Sequence, residues 1–176
     1  MKAEENEWRR EMFNFRGKAL EKSFEKFIVD NKEKFYKLAY CYVKNHHDAL
    51  DIIQESILKA YANLNSLKDE KAIDKWFSRI VVNTAVDFIR KNSKMQYVED
   101  EILKNIEDTK YSNEIEMLID ILEPELKSII ILKYFHGYKI SEVAEILDVS
   151  ESTVKNRMHK ALKILRIEIR EEENVQ

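Results

Sequence analysis

The sequence has almost none of the residues that build tight turns. Glycine occurs twice (Gly17 and Gly137) and proline once (Pro124) in 176 residues, where average usage would give those two types roughly 12% of a chain. A sandwich or barrel needs a turn every ten residues or so, and such turns lean on Gly, Pro, Asn and Asp. Asn and Asp do occur, but mostly inside helix-patterned runs, so an all-β fold is all but excluded. Long hydrophobic runs are missing too. The longest is Ile129-Ile130-Ile131-Leu132, far below the roughly 20 residues of a membrane helix, so no membrane insertion is expected. Met1–Phe15 has no apolar core of the kind a secretion signal needs. Cys41 is the single cysteine; it cannot form an internal disulfide, and the reducing cytoplasm is the expected compartment.

Catalytic inventories are equally thin. The four histidines (His46, His47, His136 and His159) form no Glu-x-x-His or His-Glu-x-x-His pattern, which leaves helical di-iron and zinc-protease sites unsupported. Gly17-Lys18 lacks the earlier glycine of a phosphate-binding loop, and two glycines leave no strained nucleophile elbow. Cys41, between two tyrosines in a helical run, reads as a packed thiol. No catalytic residue, metal or cofactor is expected.

What the chain does have is 44% hydrophobic and 36% charged residues, the balance of amphipathic helices. From Leu20 to Asn92 the helical pattern is nearly continuous. Leu20, Phe24, Phe27 and Ile28, then Phe35, Leu38, Ala39 and Tyr42, form one apolar face. Asn45-His46-His47 marks a break in a polar turn, after which Asp48 is the expected cap of a helix burying Ala49, Ile52, Ile53, Ile57, Ala60 and Leu64. A polar loop to Ile73 follows, with Asp74 as the expected cap of a third helix whose inner face holds Phe77, Ile80, Val81, Thr84, Ala85 and Phe88. Residues 1–19 read as an N-terminal arm, compatible with either a helix or an unstructured segment. Residues 93–114 read as a linker, and helical pattern resumes near Ile115. The expected fold is all-α: two small helical domains, 20–92 and 115–170, with a short tail at 171–176.

Net charge is −3, low for a protein that grips DNA alone, but the total hides a division. Ser93–Glu123 carries nine acids against three lysines, so the linker is acidic. Glu151–Arg170 carries six bases against two acids. Such asymmetry suggests a nucleic-acid-facing end beside an acidic connector.

The segment Tyr138–Arg166, YKISEVAEILDVSESTVKNRMHKALKILR, has the pattern of a helix-turn-helix. Ser141 is the expected cap of a short helix with Val143, Ala144, Ile146 and Leu147 inward. Asp148-Val149-Ser150 forms the turn, with Ser150 capping the second helix. There Val154, Met158, Ala161, Leu162 and Leu165 share a narrow arc. The opposite arc carries Ser152, Asn156, His159, Lys160 and Lys163, with Thr153, Lys155 and Arg157 completing the donor-rich face. A helix held from behind and presenting donors and positive charge is what reading a major groove requires. The plainer alternative is an αα-hairpin with a solvated basic face.

With these residues in view, Tyr138–Arg166 resembles region 4 of the bacterial extracytoplasmic-function (ECF) sigma factors, notably Thr153-Val154-Lys155-Asn156-Arg157. The N-terminal half makes the likeness specific. Asp48-Ala49-Leu50-Asp51-Ile52-Ile53-Gln54-Glu55 resembles the region 2 motif that docks on the clamp helices of the RNA polymerase beta-prime subunit. Trp76-Phe77-Ser78-Arg79-Ile80-Val81-Val82-Asn83-Thr84-Ala85 resembles the helix that reads and melts the minus-ten element. The likeness spans roughly Leu20 to Arg170 and implies an initiation factor that brings polymerase core (beta-prime and beta) to a restricted set of promoters.

It further implies roles residue by residue. Asp48, Asp51, Gln54, Glu55 and Leu58 would dock the core. Spacing alone also allows the simpler reading that acids near a helix start complement its dipole. Trp76, Arg79, Asn83, Asp87 and Arg90 would face minus-ten DNA, the positions matching Asn83 and Asp87 holding a base flipped from the non-template strand; Phe77 falls on the core face. The linker would thread the polymerase's basic channels, and an anti-sigma factor would hold the protein inactive. Ser152 and Asn156 depart from the commoner glycine and serine, and the loop 67–75 lacks a usual glycine, so the resemblance does not carry over the family's minus-thirty-five and minus-ten sequence preferences. The rival is a dimeric regulator that binds palindromic operators without polymerase. If the basic face reads DNA, replacing Lys160 and Lys163 by alanine weakens promoter binding and flattens its salt dependence by about two in log–log slope; unchanged affinity and slope in a salt titration would refute the assignment.

Overall fold

The structure is a computed structural model that describes the backbone of residues 2–95 and 119–173 and the side chains of 17–92 and 119–167. Among the described residues it holds six α-helices and no strand: α1 (Lys2–Val43), α2 (His46–Asn63), α3 (Ile73–Met95), α4 (Pro124–Ile130), α5 (Ile140–Leu147) and α6 (Glu151–Glu173). The expected all-α fold is therefore observed. The expected linker lies outside the described residues apart from 93–95, which complete α3. The expected arm is not a separate element, because its backbone from Lys2 onward is continuous with α1.

Helices α1, α2 and α3 pack on one another around the apolar positions read from spacing. Phe24, Phe35, Leu38, Ala39, Ile52, Ala60, Phe77, Val81 and Ala85 are fully buried. The centre is aromatic: Phe77 meets Phe24 and Phe35 edge-on, with centroids 5.4 and 4.7 Å apart. Such perpendicular pairs set the positive ring edge against the negative face and fix the angle at which α3 crosses α1.

The helix starts differ from expectation. Asn45, not Asp48, caps α2, accepting the Asp48 N–H at 3.1 Å, and so His46 and His47 lie in the first turn instead of in a loop. A cap must precede the first helical residue in extended conformation, and Asn45 meets that condition at φ −131°. Asp69 caps the short turn Glu70–Ala72 that leads into α3, which frees the Asp74 carboxylate for contacts described below. At α5 the cap position is Lys139, whose N–H donates to the Glu142 carboxylate at 2.8 Å; Ser141 is already helical.

In the C-terminal domain, α4 begins on Pro124, where a missing N–H is harmless, and continues into one widened turn, Ile131–Phe135. Gly137 then turns the chain at φ +72°, a conformation glycine adopts without strain. Helices α4 and α5 both pack on α6, with Ile129, Ile131, Leu132, Val143, Ile146, Val154 and Ala161 in the core. Leu162, expected inside, is 38% exposed, because Val154 and Ala161 already fill the narrow contact arc of α6. Phe77→Ala empties a fully buried aromatic site and should cost about 3–5 kcal/mol in a denaturant titration, whereas Leu58→Ala, at 69% exposure, should stay within about 0.5 kcal/mol.

Candidate nucleic-acid interface

Three surfaces hold the residues picked out from the sequence. On α2, Asp51, Gln54, Glu55 and Leu58 are exposed and Asp48 is half-buried, so all five lie on the outer side of the helix, where Leu50 and Tyr61 are exposed as well. Glu55 is partly committed: its carboxylate lies 2.8 Å from Lys59 Nζ, and this hydrogen bond holds its pKa below the usual carboxylate range. Lys59 also donates to the Thr84 hydroxyl at 3.2 Å, tying the α2 surface to α3.

The α6 surface follows the helix-turn-helix expectation closely. Ser150 caps the helix, accepting the Thr153 N–H at 3.1 Å. Its hydroxyl also lies 2.8 Å from those of Ser152 and Thr153, so these two side chains are held at the helix start. Asp148 adopts the left-handed conformation at φ 57° and ends α5, which aspartate tolerates better than most residues. Ser152, Lys155, Asn156, His159, Lys160 and Lys163 are exposed; Thr153 and Arg157 are half-buried. Lys155 has Glu151 at 3.9 Å, and Lys160 has Glu123 at 3.6 Å, contacts too loose and too exposed to neutralise them.

The α3 surface is arranged in a way no sequence pattern announced. Its inner side faces α1 and α2, while Ser78 and Val82, also buried, belong to a second side that meets the C-terminal domain. Helix α3 packs directly on α5. Arg79 pairs with Asp148 at 2.6 Å and Arg90 with Glu125 at 2.7 Å, and Lys75 pairs with Glu145. Asn83, Asp87 and Arg90 form one wall of a cleft of about 300 Å³, opposite Glu125, Leu147 and Arg157. Trp76 is half-buried with its ring edge-on to Phe24, centroids 6.0 Å apart. Packing against the aromatic core thus accounts for that side chain.

Beside this seam sits a partly buried polar cluster that sequence reading missed. Asp74, expected to be a cap, instead accepts hydrogen bonds from Lys34 Nζ at 2.5 Å and from the Tyr138 hydroxyl at 2.7 Å. Ser78 Oγ lies 2.8 Å from the same tyrosine oxygen, and Lys34 stands 4.9 Å above the Tyr138 ring. Burial works against the Lys34 ammonium, but hydrogen bonds to Asp74 and Tyr138 outweigh it and raise its pKa. Burial, then the Asp74 bond, pushes the Tyr138 phenol up. Nearby, the buried Lys127 on α4 donates to the Tyr42 carbonyl at the end of α1 (3.1 Å) and pairs with Asp120 (2.7 Å). Tyr138 is buried, and a buried tyrosine hydroxyl needs a hydrogen-bond partner, but its burial could not be read from the local sequence pattern. Among the described residues no group of three or more His, Cys, Asp or Glu is placed to hold a metal ion, and no helix is long and apolar enough to cross a membrane.

Comparison with known proteins gives this arrangement a family. Residues 27–95 match Sigma-70 region 2, and residues 112–165 match Sigma-70, region 4. The chain is 41% identical over 150 residues to RNA polymerase sigma factor SigV of Bacillus subtilis, covering 83% of this chain and 90% of that protein. To the ECF RNA polymerase sigma factor SigW of the same organism it is 32% identical over 164 residues, covering 82% and 88%. The fold is shared with the sigma factor RpoE in its complex with the anti-sigma factor NepR from Bartonella quintana (TM-score 0.69, 20% identity, 85% of this chain and 98% of that one). It is shared also with CnrH in complex with the cytosolic domain of CnrY (TM-score 0.64, 17% identity, 83% and 86%).

The seam carries a pH dependence. His136 is half-buried, and burial, followed by the nearby Lys34 and Lys37 charges, lowers its pKa to about 4, with Asp74 opposing. In the unfolded chain it titrates near 6.5. Between these values the unfolded state binds more protons, so the stability that neutral His136 allows is full above pH 6.5 and is lost as pH falls through 4. The melting temperature should fall over that window, and His136→Phe should flatten the decline; an equal slope in the variant would contradict this.

Proposed function

This chain belongs to the extracytoplasmic-function RNA polymerase sigma factors, and on that premise we propose how its surfaces divide the work of initiation. It is an alternative sigma factor that directs promoter-specific transcription initiation, and it is not an enzyme; the chemistry belongs to polymerase. The observation that carries this is the presence, in order on one chain, of both sigma regions, within relatives matched over nearly their whole length. A regulator that works without polymerase is not favoured, since its N-terminal half would have no reason to be a region 2.

The outer stripe of α2 docks the polymerase core on the beta-prime clamp helices. Asp51, Gln54 and Glu55 offer negative charge to a basic partner and speed encounter; Leu58, exposed and apolar, is the side chain with most to gain from burial. The outer strip of α3 reads minus-ten DNA. Arg79 and Arg90 hold phosphates, and Asn83, with donor and acceptor on one amide, reads the edge of an extruded base. Asp87 offers that base an acceptor. Trp76 supports this strip from below, its ring being spent on Phe24. On α6, Asn156, Arg157, His159, Lys160 and Lys163 enter the minus-thirty-five major groove, while Lys155 and the Ser152–Thr153 hydroxyls position the helix start against phosphate. The acidic segment 93–114 runs through the polymerase channels. One solved neighbour is a sigma factor in complex with an anti-sigma factor, which supports an inhibitor of that kind for this chain in the bacterial cytoplasm.

The division is separable by experiment. Asp51→Lys together with Leu58→Ala should weaken core binding by about tenfold or more, measured by competition with a labelled chain. Asn83→Ala should leave core binding intact and lower open-complex formation, read by permanganate reactivity of unpaired thymines, by a similar factor. Unchanged core affinity in the first variant would move the docking surface elsewhere, and unchanged melting in the second would remove α3 from base recognition.

A further inference from the structure

We propose that Lys59 is a positioning residue that registers the minus-ten strip of α3 on the docking helix α2. The inference rests on the reading of α2 as the docking helix and of α3 as the base-reading helix. It goes beyond that reading by naming the side chain that joins the two tasks.

The Lys59 ammonium stands where the two surfaces meet. On one side it lies 2.8 Å from the Glu55 carboxylate, one turn earlier on the outer stripe of α2. On the other it donates to the Thr84 hydroxyl of α3 at 3.2 Å. Thr84 is only 1% exposed, so its oxygen finds its partner within the protein and not in bulk water. The working residues flank it: Asn83 comes immediately before and Asp87 three positions after, both exposed. The root of Lys59 is held as well, because the Asn63 amide donates to its carbonyl at 2.8 Å. The Lys59 hydrogen bond holds the Glu55 pKa low against burial, and the nearby charge of Lys91 on α3 acts on the same carboxylate. Docking stripe and base-reading strip are thus tied through one charged side chain.

Apolar packing sets this end of α3 against α2 without fixing its rotation sharply. The buried residues flanking Thr84, Val81 and Ala85, are small, and hydrophobic attraction is non-directional. The edge-on rings that fix α3 against α1 lie at Phe77, two turns earlier. Side-chain heads sit about 6 Å from a helix axis, so a rotation of about 10° moves them by about 1 Å. A displacement of that size is enough to spoil a recognition or catalytic geometry. A hydrogen bond has a preferred direction and length, and one from a charged donor is stronger than one between neutral groups. The Lys59 side chain is 41% exposed, so its contacts add little to stability. Their contribution is register.

The test reconstitutes holoenzyme from the full-length chain and saturating bacterial core polymerase. Promoter opening is read by permanganate on a genomic fragment recovered through its transcription by the unsubstituted holoenzyme. Lys59→Met keeps the stem and removes the ammonium; Thr84→Val keeps the shape and removes the hydroxyl. Each should lower promoter opening about fivefold, while core affinity, by competition, stays within about twofold and Tm within about 2 °C. The double variant should open no worse than either single one, because a shared link is lost only once. Lys59→Arg, which keeps a charged donor, should restore most of the signal. Unchanged opening by Lys59→Met would overturn the proposal, and so would losses that multiply in the double variant. A drop in core affinity or in Tm that matches the loss of opening would overturn it too, since Lys59 would then serve docking or stability. Should circular dichroism show that Thr84→Val loses helix, Lys59→Met and Lys59→Arg carry the same measurements. Failure of the underlying reading appears separately, as unchanged opening by Asn83→Ala or unchanged core affinity in Asp51→Lys with Leu58→Ala, and the proposal falls with it.

Discussion

Helix α3 has no free side to spare, and this constraint organises the protein. Phe77, Val81, Thr84 and Ala85 are buried on its inner side against α1 and α2, and Ser78 and Val82 are buried towards the C-terminal domain. What remains is a strip on which Arg79, Asn83, Asp87 and Arg90 recur at helical spacing. A side chain that must meet nucleic acid with accuracy is best carried on an element that cannot rock. The perpendicular contacts of Phe77 with Phe24 and Phe35 supply that rigidity from beneath.

The same constraint explains the charge distribution. A net charge of −3 gives the free protein little general attraction to DNA, as suits a subunit delivered to promoters by polymerase. Within the chain, Arg79 and Arg90 of α3 meet acids of the C-terminal domain at 2.6 and 2.7 Å, whereas Lys155 and Lys160 of α6 have acids only at 3.9 and 3.6 Å. The α3 strip and the α6 face are therefore in different electrostatic states in this conformation.

Local features of the fold were legible in the sequence because their causes are local. The apolar spacing of Leu20 to Tyr42, Ala49 to Leu64 and Phe77 to Phe88 located three helices, and Ser150, Pro124 and Gly137 acted as their chemistry demands. The errors lie where two neighbours compete for one task. Asn45 displaced Asp48 as a cap, Lys139 took the place of Ser141, and Asp69 released Asp74 from capping altogether. That release had the largest consequence, since Asp74 then joins Lys34, forty residues earlier, to Tyr138, sixty-four residues later. No pattern within a helical turn carries such a contact. For the same reason the exposure of α6's basic residues was readable from periodicity, while the pairing of Arg79 and Arg90 with Asp148 and Glu125 was not. Leu162 shows the limit of periodicity itself: its angle on the helix is right for the core, but smaller neighbours already fill the contact.

The central claim, that this chain gives polymerase a promoter specificity of its own, is tested most directly by reconstituted transcription. Purified protein and bacterial core polymerase would be supplied with a library of genomic fragments, and the 5′ ends of the transcripts sequenced. The account predicts discrete start sites that share two upstream sequence blocks near minus ten and minus thirty-five and that vanish when the protein is omitted. No such starts, with a control sigma factor active on the same core and sequence-specific DNA binding by the protein alone, would contradict it.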